Sequence, residues 1–250
     1  MCTLSWLSAQ DGYEVFFNRD EARVRGPEAP VSELELKGVR CLLPRDTDFQ
    51  GTWIATNEHG TTTCLLNGYH ATHGAPRDEY VSRGRLVFEL ADATGVTEVR
   101  DRLAAWALEV YRPFVLASFA AGCDAPLVHV WDGAALRVES DATCPIVSSS
   151  RDRDRATATR QAELARLSAG HIDSDVLGAF HRSHADGPSS NSTCMHRDDA
   201  ETRSLSHIRV EATSVQFVHH HGAPCSTPEF TDRRVPRRLS SRSVGTQPTP

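Results

Sequence analysis

The order of the segments constrains this chain more than any single motif does. Runs rich in apolar, aromatic and β-branched residues come in blocks, and so do runs with helical spacing. "TLSWLS" and "YEVFFN" open the chain, followed by "VRCLLP", "TWIATN" and "TTTCLLN". Two helical stretches come next. "SRGRLVFELADA" places Leu86, Val87, Leu90 and Ala91 on one face. "TEVRDRLAAWALEV" does the same for Val99, Leu103, Trp106 and Val110, with Thr97 as a candidate cap. Strands return in "PFVLASFA", "PLVHVWDG" and "ALRVES", helices in "ATATRQAELARL" and "SDVLGAFHRSH", and strands again in "STCMHR", "SLSHIRV" and "SVQFVHH". Such blocks, unlike alternating βαβ units, predict antiparallel sheets with helices on their outer faces, an α+β fold. The expected domain runs over residues 1–225. Residues 226–250, rich in Ser, Thr, Pro and Arg, are expected to form a disordered tail whose "RRVPRRL" is solvated.

Composition excludes several function classes. At 250 residues and 39% apolar content, the chain can bury a sizeable core. Net charge is −6, and the tail is itself net basic, so the body is more acidic still and carries no nucleic-acid footprint. No run approaches the roughly 20 apolar residues of a membrane helix, and residues 1–15 lack the basic leader and apolar core of a signal peptide. The seven cysteines (Cys2, Cys41, Cys64, Cys123, Cys144, Cys194 and Cys225) are odd in number, irregularly spaced and without a CxxC. Reduced thiols in a cytoplasmic protein are the expectation. There is no GxGxxG and no Walker-type phosphate loop.

The N-terminal stretch "MCTLSWLSAQDGYEVFFNRDE" carries the chemistry. With Asp11-Gly12 as the centre of a two-residue turn, Cys2 faces Glu21 and Leu4 faces Arg19, so Cys2, Leu4 and Trp6 share a face with Phe17, Arg19 and Glu21. A one-residue slip would reverse the faces. Methionine is normally trimmed before a residue as small as Cys. That would leave Cys2 with a free α-amine able to act as base for its own thiol. Arg19 beside it would favour the thiolate over those of the other six cysteines, and Asp20 or Glu21 could hold the amine. The plainer alternative is a small residue at a frayed end, with Asn18 to Glu21 a solvated strand end.

The remaining polar clusters carry weaker signals. His181, His184, Cys194, His196, His219, His220, His221 and Cys225 include zinc-ligand types, yet no pair has finger-like spacing. No metal and no cofactor are expected. His181 and His184 are expected to pack or cap, and "HRDD" at His196–Asp199 to form a strand-to-turn junction. Cys144-Pro145, a dipeptide associated with haem-responsive proteins, is equally explained by Pro145 starting a strand.

Taken together, "MCT", the quartet Asn18-Arg19-Asp20-Glu21, "GTWIATNEHG", "CLLNGY", "SSSRD", "FHRSH", "CMHRDDAET" and "HGAPC" resemble the NRDE family, also called the transport-and-Golgi-organisation family. Gln50, where a glycine is expected, and Arg203, where a small or apolar residue is expected, depart from the pattern. The family is similar to N-terminal-nucleophile hydrolases, which implies a four-layer αββα sandwich. The resemblance implies Cys2 as nucleophile with Arg19 and Asp20 beside it and Asn67 as oxyanion donor. Asn18, Glu21, Asn191, His196 and Arg197 complete the expected pocket or supporting set. The implied function is a cysteine hydrolase or acyltransferase acting on a linear amide or related acyl compound. The alternative is a non-catalytic carrier of a haem- or lipid-like ligand, since relatives are linked to secretory-organelle organisation and to haem and lipid handling.

Overall fold

In a computed structural model of the chain, residues 2–69, 80–139, 141–226 and 229–239 are described. Two antiparallel sheets lie face to face between two helix layers, the αββα order expected. The first sheet is built from β1 (Cys2–Ala9), β2 (Gly12–Ala22), β10 (Ile146–Ser148), β11 (Ala200–Val210), β12 (Ser214–His221) and β13 (Phe230–Pro236), in the spatial order β10-β1-β2-β11-β12-β13. The second runs in sequence order through β3 (Glu28–Leu36), β4 (Val39–Asp46), β5 (Ile54–Asn57), β6 (Thr61–Asn67), β7 (Phe114–Ala120), β8 (Leu127–Trp131) and β9 (Leu136–Glu139). Helices α1 (Gly84–Leu90) and α2 (Val96–Ala104) cover the outside of the second sheet. Helices α3 (Arg153–Ser168) and α4 (Ser174–Arg182) cover the outside of the first.

Strand alternation builds the layers. On β2, Tyr13, Val15 and Phe17 point between the sheets and pack with Leu4, Leu42, Ile54, Leu66 and Phe119. Phe16 points the other way and packs with Leu164, Leu177 and Phe180 of α3 and α4. A third cluster joins Leu86, Leu90, Val99 and Leu103 to Leu43, Leu65 and Leu116 under α1 and α2. Asp152 of "SSSRD" is the N-cap of α3, accepting the Arg155 N–H at 3.0 Å, and Asp173 caps α4 through the Val176 N–H at 2.8 Å. Asn57 of "GTWIATNEHG" donates to the carbonyls of Ala91 and Ala93 at 2.8 and 2.7 Å, pinning the second sheet to the end of α1.

Several expectations need correction. The first hairpin turns at Gln10-Asp11, and Gly12 already pairs with Ala9. Gly12 is needed for another reason. A Cβ there would lie 1.9 Å from the Val210 carbonyl oxygen of the neighbouring β11. The register is therefore shifted by two, which keeps every face assignment and sets Cys2 directly opposite Arg19. "STCMHR" is irregular apart from one bridge between His196 and Glu201, because its backbone groups bond within a compact loop and to Ser183 and Thr202. Helix α2 starts behind Gly95, not Thr97. Gln50 has φ of +58°, the left-handed backbone that explains why a glycine was expected there. Arg203 falls at a β-bulge between Thr202 and Ser204, where its side chain lies near Arg23 and Glu201 and not in the core.

The domain does not end at Cys225. β13 pairs with β12 from Phe230 to Pro236, and Val235 is buried in the core between the sheets. One inward valine in an otherwise basic segment is too weak a pattern to read from sequence. Residues 240–250, the remainder of the expected tail, lie outside the described residues. A chain ending at Cys225 should lose at least about 2 kcal/mol of stability, because it uncovers the Val235 site and unpairs β12. A chain ending at Leu239, which keeps β13, should unfold at a higher urea midpoint than one ending at Cys225. Equal midpoints for the Cys225 and Leu239 truncations would contradict this topology.

Candidate active site

The polar quartet at the end of β2 is divided by the strand's two-residue period. Asn18 and Asp20 point to the helix layer. Asn18 Nδ2 donates to the carbonyl oxygens of His181 and Thr193, both at 2.9 Å. Asp20 receives the Thr202 hydroxyl at 2.6 Å and pairs with Arg160 of α3 at 3.5 Å. Both partners of that ion pair have 0% side-chain exposure. Arg160 also donates to the Thr3 hydroxyl and to the Asn191 carbonyl oxygen. Next to this pair, His181 shares a hydrogen bond of 2.8 Å with Ser5, and burial holds its imidazole well below the ordinary range.

Arg19 and Glu21 point the other way, into a cleft at one end of the two sheets. The Arg19 guanidinium lies 4.3 Å above the centre of the Trp53 ring. It is surrounded by Glu28 at 3.4 Å and by Glu21 and Asp46 at 3.5 Å each. Glu28 in turn is 2.7 Å from Nε2 of the buried His219, whose Nδ1 meets the Ser206 hydroxyl at 3.0 Å. The cleft has a volume of about 460 Å³. Its wall combines Arg19, Glu21, Trp53 and Asn67 with Arg83 and Arg112. Asn67 Nδ2 donates to the Tyr69 hydroxyl at 2.9 Å. Arg83 donates to the Pro113 carbonyl at 2.7 Å, and Arg112 stacks 5.2 Å from the Tyr80 ring. Among the described residues neither guanidinium has a carboxylate within ion-pair distance. Gly51 of the "GTW" motif shapes the same wall, because a Cβ there would lie 2.6 Å from the backbone of Gly84 at the start of α1.

Cys2 stands at the first position of β1, opposite Arg19, 7% exposed and packed into the core between the sheets. Burial pushes its thiol above the ordinary value. The charge of the chain terminus, the Asp20 backbone N–H and, least of the favourable influences, Arg19 pull the other way. Arg19 acts in the expected direction on the thiol, but it sits among three carboxylates and its influence is smaller than that of burial. Burial likewise raises Cys144 to about 11 and Cys41 and Cys194 to about 12.

The expected set is thus brought together only in part. Arg19, Glu21 and Asn67 line one cleft. Asn18 and Asp20 brace the strand from behind it, Asp20 reaching Cys2 through its amide. Asn191, His196 and Arg197 are not in the cleft wall; they belong to the loop behind the sheet, where Arg197 pairs with Asp199. Sequence reasoning missed Trp53, Glu28, Asp46, Arg83, Arg112 and Arg160. Only Arg160 left a trace, since it follows Ala156 and precedes Leu164 at four-residue spacing on the buried face of α3.

The arrangement places the chain among proteins of the N-terminal-nucleophile-hydrolase fold. A variant of the conjugated bile acid hydrolase from Clostridium perfringens is similar over 98% of this chain and 100% of its own, at 12% identity and TM-score 0.56. The penicillin V acylase from Agrobacterium tumefaciens covers 88% of this chain and 83% of its own at 9% identity, TM-score 0.56. The Caenorhabditis elegans N-acylethanolamine-hydrolyzing acid amidase orthologue covers 83% and 92% at 9% identity, TM-score 0.57. The family model for Transport and Golgi organisation 2 matches residues 1–175, and the chain belongs to that family. A search of curated proteins finds no match.

The buried pair behind the site should be essential to it. Arg160→Leu leaves Asp20 charged and without its guanidinium in a site with no solvent, which should cost roughly 3–5 kcal/mol in urea unfolding. Adding Asp20→Asn to that variant should restore part of the loss. A cost under about 1 kcal/mol for Arg160→Leu would mean that the pair does not hold the strand end.

Proposed function

We propose that the protein is a cysteine amidohydrolase or acyltransferase whose nucleophile is Cys2 after loss of Met1. The observation that carries this reading is the pairing of Cys2, at the start of β1, with Arg19, which lines the cleft; Cys2 itself is buried beside that wall and is not part of it. The fold shared with a bile acid hydrolase, a penicillin acylase and an acylethanolamine amidase supports it. A free α-amine on Cys2 takes the thiol proton as sulfur attacks the carbonyl carbon of a linear amide. Asn67 donates to the resulting oxyanion. Collapse breaks the C–N bond, the proton passes to the leaving amine, and a thioester remains on Cys2. Water, or a second amine or alcohol, then attacks the thioester and frees the thiol.

A thiol that stays protonated at rest needs its own base at the moment of attack, and an α-amine of pKa near about 8 is matched to that role. Arg83 and Arg112 in the cleft wall suit an acyl compound with an anionic end, and Trp53, Phe49 and Leu65 suit its apolar body. The carrier reading keeps one supporting feature, the mixed apolar and cationic wall, but it gives no role to Cys2.

A panel of N-acyl amino acids and N-acyl amines tests the proposal. The mature protein should release amine from at least one member. Cys2→Ala should abolish turnover, and Asn67→Ala should lower kcat by on the order of 100-fold with little change in KM. Activity of Cys2→Ala equal to that of the parent protein would refute Cys2 as nucleophile.

A further inference from the structure

Behind the sheet, away from the cleft, four side chains from three separate segments converge. His184 lies two residues past α4. Cys194 and His196 come from the loop before β11, and Cys225 from the connection between β12 and β13. His184 Nε2 and His196 Nε2 are 3.1 Å apart. His196 Nε2 is 3.5 Å from Cys194 Sγ and 3.5 Å from Cys225 Sγ. All four ligand atoms lie within 4.8 Å of one another.

Hydrogen bonding alone does not account for this geometry. An imidazole nitrogen carries either one proton or one lone pair, so His196 Nε2 can make one directed bond, yet it faces three polar atoms. A tetrahedral zinc ion has bonds of about 2.0 Å to nitrogen and about 2.3 Å to sulfur, so its ligand atoms stand about 3.3–3.8 Å apart. Three of the six separations are close to that range and the others fall within 4.8 Å. The donor set, two imidazoles and two thiols that become thiolates on binding, is the Cys₂His₂ set of closed structural zinc sites.

We propose that His184, Cys194, His196 and Cys225 form a structural zinc site. The spacing of the ligands, 10, 2 and 29 residues apart, is unlike that of a finger. The folded chain, and not a local motif, assembles it.

The loop explains what the ion would do. The Cys194 N–H bonds to the Ser183 carbonyl at 3.0 Å and the His196 N–H to the Ser189 carbonyl at 3.1 Å, so the ligand-bearing segment folds back on itself. The residues next to the ligands hold the quartet. The Thr193 carbonyl takes the Asn18 amide at 2.9 Å. The Met195 N–H donates at 2.7 Å to the same Thr202 hydroxyl that reaches Asp20. Zinc would therefore fix the loop that braces β2 from behind, and tie it to the β12–β13 connection through Cys225. None of the four ligands lines the cleft, and the ion takes no part in acyl chemistry. The inference stands whether or not Cys2 is a nucleophile.

Elemental analysis of untagged protein purified without chelator should find close to one zinc per chain. Cobalt(II) exchanged into the site should give the visible bands of a tetrahedral ion together with thiolate-to-cobalt charge transfer. Cys225 is exposed, so Cys225→Ser should remain folded while weakening zinc affinity on the order of 100-fold or more. His184→Ala should do the same, and Cys123→Ser should leave zinc content unchanged. Chelation should lower the melting temperature of the parent protein and not that of Cys225→Ser. Less than a tenth of an equivalent of zinc even after incubation with the metal, a Cys194–Cys225 disulfide in non-reduced peptide maps of fresh protein, or full zinc retention in both ligand variants would each overturn the site.

Discussion

Asp20 and Arg160 form an ion pair with no solvent contact, and the end of β2 is built around it. Desolvating two charges costs several kcal/mol per ion, and a single 3.5 Å approach does not by itself offset that. The surrounding hydrogen bonds share the work: Thr202 to one carboxylate oxygen, Thr3 and the Asn191 carbonyl to the guanidinium. Such a cluster is satisfied only when α3, β1, β2, β11 and the loop before β11 are all in place. It therefore specifies one arrangement of five segments, and it fixes the backbone of Asp20, whose amide meets the Cys2 sulfur.

From that fixed strand the site follows by alternation. With Asn18 and Asp20 held against the helices, Arg19 and Glu21 must face the cleft. Arg19 is then caught between the Trp53 ring and three carboxylates, which makes it a rigid, nearly neutralised wall and not a free cation. Arg19 is therefore the smallest of the influences that lower the Cys2 thiol, and the proposed reaction relies instead on a base at the chain terminus, which ties that proposal to the loss of Met1.

The sequence showed the layers because each strand and helix announces itself by a local period. The faces of β1 and β2 were legible even though the register was off by two, since a shift of two leaves side-chain direction unchanged. The glycine that marked the turn was misread because its true constraint is β11, about 200 residues away. β13 escaped notice because an edge strand needs little apolar pattern, and Val235 is its one buried contribution to the core. Of the residues lining the cleft, Arg19, Glu21 and Asn67 were legible through motif and hairpin together. Glu28, Asp46, Trp53 and the His184–Cys225 cluster were not, because their proximity exists only after both sheets and the helix layer have packed.

The central claim, a proposal, is that Cys2 becomes a terminal nucleophile beside Arg19 of the cleft wall. Intact mass and N-terminal sequencing of the cellular protein, before and after exposure to a thiol-acylating β-lactone, test it most directly. The account predicts a chain lacking Met1 and beginning at Cys2, with a single acyl adduct on that residue. Most molecules beginning at Met1, or adducts spread over Cys123 and Cys225 with Cys2 unmodified, would contradict it.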